Sequence, residues 1–141
     1  MTGLDHFGVY LTALFEADML FGNEDRHLNN IAVLRRGEVF DYCPMFDFGA
    51  GLLSNVRDYP MDVEPKVLLS QLRAQPMNAQ FVRQVHAAQA NYGAQIRYDS
   101  SWEDIVNALA EPLAFYAERD RSYISDRVMF CIQTQYRKLK K

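Results

Sequence analysis

Asn23-Glu24-Asp25-Arg26-His27-Leu28-Asn29-Asn30, followed by Phe46-Asp47-Phe48-Gly49, is the stretch on which the reading of this chain turns. Between the two motifs, Ile31-Ala32-Val33-Leu34 and Glu38-Val39-Phe40-Asp41-Tyr42 are rich in branched and aromatic residues, with Arg36-Gly37 between them. That pattern predicts a β-hairpin. A hairpin there returns the chain on itself and sets Asp47 beside Asn30.

Three polar side chains then converge: Asp25, Asn30 five residues later, and Asp47. Phosphoryl transfer to a hydroxyl uses such a set in this order. One carboxylate orients and deprotonates the attacking hydroxyl, and an amide oxygen with a second carboxylate holds the magnesium that neutralises the phosphates. An Asp-Phe-Gly alone is common and can be a simple turn. Its place after an Asp-x-x-x-x-Asn and a hairpin makes the pair far more specific, because a motif gains weight from its structural context.

The Asp-Arg-His-x-x-Asn string of residues 25–30 and the later Asp-Phe-Gly resemble the catalytic and metal-binding loops of phosphatidylinositol-kinase-like enzymes. The lead-in Cys43-Pro44-Met45-Phe46-Asp47-Phe48-Gly49 is closer to the bacterial HipA-like kinases, the toxins of toxin–antitoxin pairs. The resemblance is carried by residues 14–53. Further on, only a helical pattern is consistent with the C-lobe of that family. The resemblance implies an ATP- and magnesium-dependent Ser/Thr protein-kinase-type transferase. Asp25 would be the catalytic base, and His27 a loop-stabilising or transition-state hydrogen-bond donor, with a packed loop histidine as its plainer role. Asn30 and Asp47 would be the metal and cofactor ligands.

The pattern also departs from that family. A kinase needs a nucleotide-covering loop and a lysine that pairs the phosphates, both upstream of the catalytic loop. Only 24 residues precede Asp25 and none is a lysine; Lys66, Lys138, Lys140 and Lys141 all follow it. The expectation is therefore a HipA-like C-lobe whose N-lobe is absent, comes from another polypeptide or lies in a longer reading frame. Alone it would bind ATP weakly or not at all. The alternative is a kinase-derived binding module without catalysis, docking on a partner protein. The surface beneath a missing N-lobe should be apolar, which favours an N-lobe partner or self-association.

Length and composition agree with one domain spanning residues 1–141. Hydrophobic content is 49% and charged content 23%, ordinary for a globular chain. A net charge of −3 argues against nucleic acid as partner. No charged leader with an apolar core and no membrane-length apolar run is present, so a cytoplasmic protein is expected. Cys43 and Cys131 make no disulfide framework and read as small buried residues.

The fold class read from these patterns is mainly α, with one small antiparallel hairpin carrying the loops. His6 to Phe21 reads as a helix with Asp5 as its cap and Gly22 as its stop. Asp18 on that helix reads as a solvated charge, with a hydrogen bond to the catalytic loop as the alternative. Arg26 reads as the partner of an acidic side chain in the loop, and Asn23 and Asn29 as loop-formers. A loop over 54–65 is followed by a helix over 64–73 with Val67, Leu68 and Leu72 inward. A second helix, capped by Asn78 and stopped by Gly93, carries Phe81, Val82 and Val85 inward, with His86 at the surface or core edge. A third helix opens on a capping box at Ser100 or Ser101 and meets Pro112, and a last one runs from Ser122 to Leu139.

Overall fold

The computed structural model describes residues 3–140. Among them are five α-helices and one two-stranded antiparallel sheet. Helix α1 spans Phe7–Phe21, β1 Val33–Arg36 and β2 Val39–Tyr42. They are followed by α2 Pro65–Gln71, α3 Phe81–Tyr92, α4 Trp102–Ala114 and α5 Glu118–Leu139.

Helix α1 is the centre of the molecule. It packs on α3 and α5, and α5 in turn takes α2 and α4. Its apolar residues lie all round rather than in one stripe, the pattern of a helix covered on several sides. Leu14, Phe15, Ala17 and Met19 are buried, and so are the charged Glu16 and Asp18. A buried carboxylate must find donors. Glu16 accepts from Gln89 Nε2 at 2.7 Å and from the backbone N–H of Ile96 at 2.7 Å, which pins the link between α3 and α4 onto α1. The helix stops at Gly22, whose φ of 62° suits glycine. A Cβ there would also meet Leu72 Cδ1 at 2.9 Å.

The hairpin forms where it was expected but two residues later in its first strand. Val33 pairs with Tyr42 and Arg36 with Val39, leaving Gly37-Glu38 as the turn. Gly37 has φ of 65°, which a two-residue hairpin turn needs at its first central position. Tyr42 returns to α1: its ring lies 5.5 Å from that of Tyr10, and its hydroxyl donates to the Asp5 carbonyl.

Other details correct the sequence reading. His6, not Asp5, stands at the α1 cap, with φ of 60° and no side-chain capping bond. Gln80 caps α3, while the Asn78 side chain accepts from the Gln80 N–H at 2.8 Å and shapes the turn before the helix. Val67 and Val82 are exposed, because the inward faces of their short helices are carried by Leu68 and by Phe81 with Val85. The capping box of α4 is Ser101 with Asp104. Pro112 lies in the last turn of α4, which ends two residues later. Helix α5 begins at Glu118, four residues before Ser122, and Glu118 and Asp120 complement its positive N-terminus.

The segment between hairpin and α2 has no helix or strand, yet it is held. The buried Arg127 of α5 donates to the Tyr59 carbonyl at 2.6 Å, to the Pro60 carbonyl, and to the Tyr123 hydroxyl at 3.1 Å. Leu52 and Leu53 both have positive φ, and the Leu52 N–H donates to the Phe21 carbonyl at the end of α1 at 2.5 Å.

Cys131 is fully buried, as expected, whereas Cys43 is only half-buried. Burial pushes the Cys131 thiol up to about 12. At pH 8 its thiolate fraction is on the order of 10⁻⁴, and the thiolate is the nucleophile. Iodoacetamide is expected to label one thiol per native chain, Cys43, and both only after unfolding; mass spectrometry of the labelled protein checks this.

Candidate active site

The loop after α1 is built on one arginine. Arg26 is fully buried and so is Asp18, one turn before the end of α1. The guanidinium grips that carboxylate with two bonds, Nε to Oδ2 at 2.9 Å and Nη2 to Oδ1 at 3.0 Å. Its Nη1 donates to two carbonyls at once, Asn30 at 2.8 Å and Phe46 at 2.8 Å. Its plane rests on the Phe48 ring, 4.9 Å from the centroid. Four donors in a fixed plane meet four acceptors, a task lysine cannot perform.

Asn23, also fully buried, completes the set. Its amide donates to Asp18 Oδ1 at 2.8 Å and to the Asp47 carbonyl at 3.3 Å. Its oxygen accepts from the Asp25 N–H at 3.4 Å. Two sequence readings are thereby overturned. Asp18 is not a solvated charge but makes the hydrogen bonds to the loop that were its alternative reading, and Asn23 does more than turn the chain. Burial raises the Asp18 carboxyl above its ordinary range, while the hydrogen bonds from Arg26 and Asn23 pull the other way.

Around this anchor lie the four residues singled out by sequence. Asp25 is exposed, and its backbone carbonyl accepts from Asn30 Nδ2 at 2.9 Å. Asn30 is buried at the end of a single 3-10 turn, Leu28–Asn30. With its nitrogen engaged, Oδ1 is the atom able to ligate a hard cation. Asp47 is exposed and sits in the left-handed region with φ of 59°. Aspartate tolerates that region better than most residues, but such a conformation costs on the order of 1 kcal/mol or more and concentrates at functional sites. His27 stands beside Asp25, with Nε2 3.9 Å from Oδ1, too far for a hydrogen bond. Arg26 and Asn23 therefore bring the loops of Asp25, Asn30 and Asp47 together, with His27 at their margin.

The donor set suits magnesium: an amide oxygen and a carboxylate, with phosphate and water for the remaining positions. Among the described residues no group of three or more His, Cys, Asp or Glu side chains converges as a self-sufficient metal site. The exposed Asp25 and Asp47 face open surface. A cleft of about 330 Å³ begins next to Asp25 in sequence, lined by Glu24, Asp58, Tyr59 and Leu72. Burial raises the Glu24 carboxyl, a hydrogen bond with Tyr59 pulls the other way, and the charges of Asp58 and Asp25 add to the rise.

Apolar side chains flank the same loops. Leu28 is 68% exposed and Val39 69%, and Met45 and Phe46 are also exposed. Among the described residues no helix is long and apolar enough to cross a membrane. Comparison of the chain with protein-family models, with curated proteins and with solved structures finds no match.

Proposed function

We propose that this chain is the C-terminal lobe of a HipA-like, Ser/Thr protein-kinase-type phosphotransferase that works with ATP and magnesium. The observation that carries this reading is the shared grip of Arg26 Nη1 on the Asn30 and Phe46 carbonyls. It joins the end of an Asp-x-x-x-x-Asn loop to the approach of an Asp-Phe-Gly loop, as the order of the two motifs requires.

In this reading Asp25, exposed and fixed through its backbone on both sides, takes the proton of the acceptor hydroxyl and aims it at the γ-phosphate. Asn30 Oδ1 and the Asp47 carboxylate would hold the magnesium, which would supply positive charge against the phosphates. His27, at the edge of the site, would donate a hydrogen bond to the transition state. None of residues 1–24 is a lysine, so in this reading the nucleotide clamp is supplied from outside these residues.

With two protein ligands and no clamp, magnesium binding is expected to be weak and to strengthen with ATP. Titration calorimetry with and without ATP measures it. Asp47→Ala should abolish the heat of binding, and tight binding that survives this change would show that the metal ligands are misassigned.

A second reading is a kinase-derived binding module without catalysis. The exposed Leu28, Met45 and Phe46 beside Asp25 and Asp47 favour it. A chain that shows no Mg·ATP heat but self-associates by light scattering, and is made monomeric by Leu28→Ser with Phe46→Ser, would support this reading over the first.

A further inference from the structure

The ion pair under the site is expensive for what it contributes to stability. A buried pair loses so much hydration that apolar side chains of similar volume are often as good or better. Its value here is geometric. Arg26 reaches Asp18 on α1, the Asn30 carbonyl that closes the Asp25 loop, and the Phe46 carbonyl that precedes Asp47. Asn23 repeats the arrangement with different atoms, touching Asp18, the Asp25 N–H and the Asp47 carbonyl. Each of these two side chains contacts both loops and both are referred to the same carboxylate.

We propose that Asp18, Arg26 and Asn23 are positioning residues that couple the base loop to the metal loop, so that a cation held at Asp47 also fixes the orientation of Asp25. The proposal rests on the kinase-type reading of Asp25, Asn30 and Asp47. It explains why the loop is anchored by a planar guanidinium. Its single Nη1 holds two carbonyls from segments 16 residues apart in sequence, so neither can shift without straining the other. It also gives the left-handed Asp47 a physical support, since the carbonyl of that residue is the one Asn23 holds.

The test is two-dimensional NMR of backbone amides in the full chain, titrated with Mg·ATP, for wild type and Arg26→Lys. Lysine keeps the charge against Asp18 but cannot hold both carbonyls. In wild type the amides of residues 25–29 should shift together with those of 46–49 and with one midpoint. In Arg26→Lys the response at 46–49 should persist, while that at 25–29 shrinks by about fivefold or more, the scale of ordinary coupling between sites. If Arg26→Lys lacks a dispersed spectrum, Asn23→Ser, which leaves the ion pair intact, carries the same expectation. Equal responses of both loops in a folded variant would overturn the coupling and leave the kinase-type reading standing. Loss of both would also overturn it, since Arg26 would then build the metal loop rather than link it. No response at 46–49 in wild type would overturn the reading and the coupling together.

Discussion

Asp18→Ala is expected to destabilise the chain by about 3–5 kcal/mol, because it strands a guanidinium that is completely buried. Against a total stability of about 5–15 kcal/mol, that removes from about a fifth to all of it. The cost has two sources. Arg26 loses both of its charge-assisted bonds to carboxylate, and Asn23 loses the acceptor of its shorter bond. Urea unfolding followed by circular dichroism reads the change. Asp120→Ala is the control: Asp120 meets Arg119 at 3.2 Å, but the Arg119 side chain is 86% exposed. Its loss should cost under about 1 kcal/mol, as for other surface pairs. An Asp18→Ala midpoint within the range of that control would show that the pair does not anchor the loop.

The second large effect concerns chemistry. On the kinase-type reading, residues 1–141 by themselves are expected to transfer no measurable γ-phosphate from labelled ATP to protein, because none of residues 1–24 is a lysine able to pair the nucleotide phosphates. Mixed with a domain that supplies this clamp, it should become active, and Asp25→Asn should then lower the rate by about 10²–10⁴-fold, the usual contribution of a positioned base. Transfer by the chain alone, abolished in Asp25→Asn, would contradict the need for a clamp and keep Asp25 as base.

The parts of the fold that were legible in sequence are those with local signals. Gly22 and Gly93 stop their helices with a positive φ that glycine adopts without a Cβ penalty. Ser101 with Asp104 announces α4 through a four-residue pattern. The hairpin follows from two β-prone runs around a glycine, although its register depends on which residue of Arg36-Gly37-Glu38 takes the positive φ, and that shifted the first strand by two.

What was not legible depends on residues distant in sequence. Asp18 looked like a solvated charge because charges on helices commonly are. Its pairing needs Arg26, which lies beyond the end of the helix. A signal was present all the same: a helix apolar on every side leaves no wet face, so both of its buried acids had to be partnered. The caps at His6 and Gln80 were missed for the opposite reason. Asp5 and Asn78 are good capping residues by type, but one yields to a left-handed His6 beside the Tyr42 contact, and the other caps the preceding turn. Asp25, Asn30 and Asp47 were singled out as candidates by spacing. Spacing says nothing of how they are held, and the left-handed backbone of Asp47 has no sequence signature.

The central claim is that Asn30 and Asp47 hold a divalent cation beside Asp25. Manganese, which replaces magnesium at oxygen sites and broadens nearby NMR signals, tests it directly. Substoichiometric Mn·ATP added to the labelled chain should erase the amide signals of residues 28–31 and 46–49 first, and Asp47→Ala should restore them. Broadening that begins instead at Glu24 and Asp58, or that is unchanged in Asp47→Ala, would contradict the account.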